Sequence, residues 1–278
     1  MKNGLPPGFD PAAVRAIVTD MDRTILPSSL ELSPKTVAAV AAVRAAGIEA
    51  IIATGRMFAS TRPYALQLGI TAPVICYQGA LVADPVTGRF LRHIPIPLAA
   101  AHEALDAVIE AGFHINAYVD DELYVAAATP EAHAYADLNK VEMHVVGDLR
   151  EWLREPPTKL VAVGDPQALT ELENLLKPRF AGTLFVSKSL PHFLEFAHPD
   201  VNKGSGLTFL SERLGFAPEQ TVACGDGEND RELLDWAGFG VAVANAHEEI
   251  LARADLVVPD VEHEGVAVLL ETFLDSLS

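Results

Sequence analysis

The chain has 278 residues, half of them hydrophobic, and a formal charge of -18 from 38 acidic and 20 basic side chains. That balance argues against nucleic acid as a partner, because phosphate backbones require a basic surface, and the apolar content argues against global disorder. No apolar run approaches the roughly 18–20 residues that span a bilayer, so no membrane partner is expected and a cytoplasmic protein is.

In chain order, MKNGLPPGFDP carries Pro and Gly where a signal peptide needs its apolar stretch, and it reads as a flexible lead-in. Ala16–Thr19 is a short, β-branched run that reads as a buried strand, and Asp20 and Asp22 stand where it ends. Ser33 and Pro34 open a helix as N-cap and first helical residue, with Gly47 as its C-terminal stop. A second strand over 48–53 runs into Thr54-Gly55-Arg56, a helix follows over 58–68, and a third strand spans 74–77. Strand–helix–strand repetition implies parallel strands joined by right-handed crossovers.

The pattern changes near Leu81. Asp84-Pro85-Val86-Thr87-Gly88 is a turn between two extended runs. Helices are expected over 98–111 and 166–176, and strands over 113–119, 122–126 and 159–163, with Asp120-Asp121 as a tight turn. Residues 183–187 and 193–197 read as a hairpin around Pro191; Lys188, His192 and Glu195 around it are weak candidates for contacting a substrate, and a solvated surface is the favoured reading for most of them. Alternation then returns: a helix over 203–214, a strand over 221–224, the loop Gly225-Asp226-Gly227-Glu228-Asn229-Asp230, a helix over 231–236, strands over 241–244 and 256–258, and a helix over 266–274. The expected fold is α/β: a Rossmann-like parallel-sheet core from residues 14–83 and 199–278, split by an inserted α+β domain at 84–198.

Two cysteines, Cys76 and Cys224, each end an apolar run and read as buried small residues, too few for a disulfide framework. The nine histidines show no HExxH-type spacing. The candidate chemistry lies elsewhere. A paired Asp at a strand end divides labour: one carboxylate attacks while the other moves protons. Thr54, Lys203, Asp226 and Asp230 also fall at strand ends or a helix start, where open α/β sheets bind ligands. Taken singly, each has a plain structural explanation, as a cap, a solvated lysine or a turn aspartate.

The runs DMDRT at 20–24, ATGR at 53–56, NKG at 202–204, GDGEND at 225–230 and VANA at 243–246 appear in that order. Together they resemble the haloacid dehalogenase-like phosphohydrolases, specifically the Cof-type group with a large α/β cap, over nearly the whole chain. The resemblance implies a phosphatase for small phosphorylated metabolites, sugar phosphates above all, working through an aspartyl-phosphate on Asp20. It implies Mg²⁺ held by the Asp20 carboxylate, the Asp22 backbone carbonyl and Asp226, with Asp22 as acid/base. Thr54 and Gly55 would hold the phosphoryl oxygens, Lys203 would pair with Asp20 and the phosphoryl group, Asp230 would support the metal or orient Lys203, and Asn229 would hold a metal-bound water. Arg56 would meet the substrate or the cap.

The insert would be the cap that closes over the site. Two positions depart from the family pattern: Arg23 and Gln78 stand where Gly and Asn are usual, and Arg23 reads as a surface arginine in preference to a substrate contact. Competing readings are a sugar phosphomutase or phosphotransferase, a non-catalytic sugar-phosphate binder and a response-regulator-like domain. The intact Asp pair disfavours the last two.

Overall fold

Short runs of buried β-branched residues frame the first of two units in the computed structural model, which describes residues 9–277. That unit extends through Arg56, resumes over Thr61–Leu91 and returns from Asn202; the second holds Met57–Ser60 and Arg92–Val201. Of the flexible lead-in expected over residues 1–11, residues 1–8 lie outside the described residues; its end is held in place instead, with the Phe9 ring 4.5 Å from that of Phe239 and Asp10 capping a short 3₁₀ turn over Pro11–Ala13. The chain begins with β1 (Ala16–Thr19), α1 (Pro34–Ala45), β2 (Glu49–Ile52), α2 (Phe58–Gln67), β3 (Val74–Cys76), β4 (Leu81–Ala83) and β5 (Phe90–His93). Helix α1 starts as its sequence dictates: the Ser33 hydroxyl accepts from the Thr36 N–H at 3.0 Å, and Pro34 occupies a position that needs no donor. Gly47 stops it in the left-handed conformation, at φ 82°.

The second unit contains α3 (Leu98–Glu110), β6 (His114–Val119), β7 (Glu122–Val125), α4 (Pro130–Asn139), β8 (Met143–Val145), α5 (Leu149–Trp152), β9 (Lys159–Val163), α6 (Pro166–Arg179), β10 (Phe185–Leu190) and β11 (Phe193–Ala197). Its sheet runs β10-β11-β9-β6-β7-β8, antiparallel except for the β7–β8 pair. Alternation along the strands separates two faces. Ile115, Ala117, Leu160, Ala162, Leu194 and Phe196 enter one apolar core with residues of α3 and α6. On the opposite parity, Lys159 donates to Glu195 at 3.2 Å, and the Tyr118 hydroxyl donates to that of Tyr135 on α4 at 2.6 Å.

This corrects the expectation of a solvated surface for Glu195 and, in part, for Lys188, while the hairpin tip over 189–192 is exposed. Glu195 is buried against Lys159, and Lys188 donates to the Thr170 hydroxyl at 2.5 Å; only His192 is exposed, its Nδ1 3.1 Å from the Gly164 carbonyl. The hairpin strands also run from Phe185 to Leu190 and from Phe193 to Ala197, so the first starts and ends later than its pattern suggested.

The chain then forms α7 (Lys203–Leu214), β12 (Thr221–Gly225), α8 (Arg231–Trp236), β13 (Phe239–Val243), α9 (Glu248–Arg253), β14 (Leu256–Val258) and α10 (Gly265–Asp275). The resulting sheet, β14-β13-β12-β1-β2, is parallel throughout, which aligns the carboxyl ends of its strands on one edge. A parallel bridge from Ala53 to Ile75 adjoins the small sheet β3-β4-β5. Both cysteines are buried thiols outside any disulfide, and among the described residues no helix is long and apolar enough to cross a membrane.

The buried pair in the second unit has a measurable consequence. Burial acts to lower the Lys159 pKa, but Glu195, with a contribution from Tyr135, outweighs it and holds the ammonium charged. Glu195→Ala strands that charge and is expected to cost about 3 kcal/mol in denaturant unfolding. The apolar double replacement Lys159→Met with Glu195→Leu recovers most of the loss.

Candidate active site

The geometry of the sheet edge starts from three strand ends. Asp20 directly follows β1, Asp226 directly follows β12, and Thr54 lies just beyond β2. Lys203 opens α7, whose start is set by Asn202: its side chain accepts from the Ser205 N–H at 2.8 Å, and the Ser205 hydroxyl answers with the Asn202 backbone.

Lys203 is completely buried. Its ammonium donates to Asp20 Oδ1 and, at 2.6 Å, to Asp230 Oδ1. The other Asp230 oxygen accepts from the backbone N–H groups of Asp226 and Gly227, both at 3.0 Å, so one carboxylate ties the lysine to the turn that carries Asp226. A side chain at Gly225 would overlap that carboxylate, which explains the glycine there. The Thr24 hydroxyl lies 3.2 Å from Asp20 Oδ2 and 3.1 Å from Asp226 Oδ1, bridging the two carboxylates that flank it.

Asp22 stands apart from this buried cluster. Its side chain is 44% exposed and takes a bidentate grip from Arg56, at 2.7 Å from Nε and 2.5 Å from Nη2. Thr54 is buried, and its Oγ1 accepts from the Arg56 N–H at 3.2 Å, leaving the hydroxyl proton for another acceptor. Asn229 reaches Gln78, donating to its Oε1 at 3.1 Å, and the Gln78 amide packs against Gly55. Asp20, Lys203, Asp226 and Asp230 are thus gathered directly, Asp22 is held with Arg56, and Gly55 and Asn229 meet through Gln78.

Electrostatics follows from burial. Asp20 is pushed well above the usual carboxylate range by desolvation and by the negative charges of Asp230, Asp226 and Asp22, against the pull of Lys203. Asp226 is raised by burial and by Asp230, with Arg23, Thr24 and Lys203 opposing. Burial acts to lower the Lys203 pKa, but Asp20 and Asp230 outweigh it, and the ammonium stays charged.

Three buried carboxylates face one buried ammonium, and oxygens of Asp20, Asp226 and Asp230 all lie within 4.8 Å of one another. A cluster of hard oxygen donors short of positive charge suits a divalent cation such as Mg²⁺. Asp230 is engaged at both oxygens by the lysine and by two backbone N–H groups, whereas Asp20 Oδ2 and Asp226 Oδ1 share the single Thr24 hydroxyl, which can donate to only one of them at a time, so Asp20 and Asp226 are the side chains freer to ligate. Asp22, with its carboxylate turned to Arg56, has only its backbone carbonyl to offer.

Arg23 adopts φ 60°, the left-handed region that glycine enters without strain, at a cost of about 1–2 kcal/mol for a residue with a Cβ. Asn245 holds the turn: its Nδ2 donates to the Arg23 carbonyl at 2.8 Å while its Oδ1 accepts from the Val261 N–H at 2.9 Å. The Arg23 side chain is 53% exposed, as a surface arginine should be, yet its Nε lies 3.6 Å from Asp226 Oδ2. Thr24 and Asn245 went unassigned in the sequence reading, although both lie inside the runs DMDRT and VANA. A hydroxyl four residues after the first Asp was the available signal for Thr24.

Known proteins are similar to this one over most of the chain. A family model described as haloacid dehalogenase-like hydrolase matches residues 17–270. The 5-amino-6-(5-phospho-D-ribitylamino)uracil phosphatase of Bacillus subtilis is 28% identical over 261 residues, spanning 92% of this chain and 96% of its own. A pyridoxal phosphate phosphatase of Escherichia coli is 28% identical over 282 residues, spanning 94% and 98%. The crystal structure of a haloacid dehalogenase-like hydrolase from Bacteroides thetaiotaomicron superposes with a TM-score of 0.86 at 27% identity, covering 93% of this chain and 98% of that one.

The raised pKa values of Asp20 and Asp226 set the sign of a metal effect. Above the ordinary value of 3.8 the folded protein retains protons that the unfolded chain has released, so raising the pH through that window removes stability. A cation that replaces those protons restores it. Mg²⁺ added to metal-free protein is expected to raise the unfolding temperature, and by more at about pH 7.5 than at about pH 5. Differential scanning calorimetry at the two pH values checks both the direction and its pH dependence.

Proposed function

Because the chain belongs to the haloacid dehalogenase-like hydrolases, as a phosphoric monoester hydrolase, we propose that it is a cytoplasmic, Mg²⁺-dependent phosphatase of small phosphorylated metabolites. Sugar phosphates and related polyol phosphates are the favoured substrates. The observation that carries the reading is the separation of two carboxylates two residues apart: Asp20 buried against Lys203 beside Asp226, and Asp22 outside that cluster in the grip of Arg56.

In the proposed reaction an Asp20 carboxylate oxygen attacks phosphorus and the bond to the ester oxygen breaks. The departing oxygen takes a proton from Asp22, leaving an aspartyl-phosphate on Asp20. Asp22 then accepts a proton from water as the water oxygen attacks phosphorus, and cleavage of the acyl-phosphate bond frees Asp20 and inorganic phosphate. Lys203 neutralises the carboxylate before attack and the phosphoryl oxygens after it.

The Thr54 hydroxyl and the Gly55 N–H receive the phosphoryl oxygens, and Arg56 keeps Asp22 from drifting into solvent. Asp20, Asp226 and the Asp22 carbonyl would hold Mg²⁺, with Asp230 and Asn229 in support; when bound, it supplies charge that lowers the repulsion between nucleophile and phosphoryl group. The inserted residues 84–198 act as a cap that excludes water and reads the leaving group.

Relatives that act on a ribityl phosphate and on pyridoxal phosphate support small phosphorylated substrates. Phosphate release from a panel of phosphorylated metabolites with Mg²⁺, by the native chain and by Asp20→Asn, tests the proposal. Native release that falls at least about 1000-fold in the folded variant is expected. Transfer of phosphate to a sugar acceptor in place of release would move the assignment to a phosphotransferase.

A further inference from the structure

Resting on the phosphatase reading, we infer that Gln78 is a further phosphoryl-binding residue, whose side-chain NH₂ donates to the phosphoryl group held at Thr54 and Gly55. The argument starts from the backbone. Tyr77 and Gln78 are consecutive non-glycine residues in the left-handed region, at φ 50° and 58°, a conformation that side chains rarely adopt singly and seldom in pairs.

Strain of this kind persists where the surroundings hold it, and here they do. The Gln78 N–H donates to the Thr54 carbonyl at 3.0 Å and the Tyr77 N–H to the Arg56 carbonyl at 2.9 Å, fastening the turn to both sides of Gly55. The next residue, Gly79, has φ 103° and packs so closely on the Asn202 carbonyl that a Cβ would overlap it. The turn is therefore wedged between the Thr54 loop and the start of the helix that carries Lys203.

This placement fixes which end of the Gln78 amide faces the site. Its Oε1 accepts from Asn229 Nδ2 at 3.1 Å. With the carbonyl end engaged, the Nε2 end is the one that lies against Gly55, so close that any side chain there would displace it. Among the described residues the Nε2 hydrogens have no acceptor.

A half-buried donor without an acceptor, held beside the backbone that binds phosphoryl oxygens, is arranged for an anion. The shorter Asn usual at this position stops one methylene earlier. Gln78 thus extends the set of phosphoryl donors formed by Thr54 and Gly55.

Gln78→Glu and Gln78→Met separate this role from a structural one. Glutamate keeps the length and the acceptor for Asn229 but replaces the donor with a negative oxygen, whereas methionine keeps only the length. Inhibition by inorganic phosphate is read against ester hydrolysis with Mg²⁺, together with the unfolding temperature. Both variants are expected to fold as the native chain does, and to weaken phosphate inhibition by about 10-fold or more, as loss of a hydrogen bond to a charged acceptor should.

Native-like phosphate inhibition in both variants would overturn the assignment of Gln78 while leaving the phosphatase reading intact. So would a fall in unfolding temperature with unchanged inhibition. A native chain that neither hydrolyses esters nor binds phosphate would overturn the phosphatase reading, and the assignment with it.

Discussion

One buried ammonium organises this sheet edge. Lys203 could not remain charged at complete burial without Asp20 and Asp230, and neither carboxylate would be at ease in that position without Lys203. Asp230 passes the constraint onward, because its second oxygen holds the backbone at Asp226 and Gly227. Three chain segments far apart in sequence, at residues 20, 203 and 226–230, are thereby fixed to one another by charge-assisted hydrogen bonds. The arrangement remains short of positive charge, which is what makes a divalent cation its natural complement.

The parallel sheet makes that convergence possible. Five strands in the order β14-β13-β12-β1-β2 present their carboxyl ends on one side, so Asp20 and Asp226 emerge from neighbouring strands in register, with Thr19 opposite Cys224. The two carboxylates after β1 then receive different environments from a spacing of two residues. Asp20 faces inward to Lys203, and Asp22 faces outward to Arg56. Environment, more than residue type, divides nucleophile from acid/base in the proposed mechanism.

Much of this was readable in the sequence. The strand endings at Asp20 and Thr54, the Ser33-Pro34 helix start and the Asp226 loop were visible because local signals and tertiary placement agree there. The α4, β8, α5 and α9 elements were not anticipated. Helix α4 is rich in Ala and polar residues, so its periodicity is faint despite the Thr129 cap and Pro130. The other three are only three, four and six residues long. Glu195 misled for a different reason: a charged residue on a hairpin looks solvated until its partner, here Lys159 on a strand 36 residues earlier, is known. The left-handed backbone at Gln78 was equally hidden, because glutamine does not announce it, whereas the glycine usual at position 23 already pointed to a tight turn at Arg23.

The central claim is that Asp20 carries the phosphoryl group. It is tested most directly by giving Asp22→Asn protein an activated aryl phosphate, whose phenolate leaves without needing a proton. Deprived of the base that activates water, the variant should release one burst of phenol and accumulate a phosphoryl adduct, which peptide mass mapping of acid-quenched protein would place on Asp20. Steady phenol release with no adduct, or an adduct on another residue, would contradict the account.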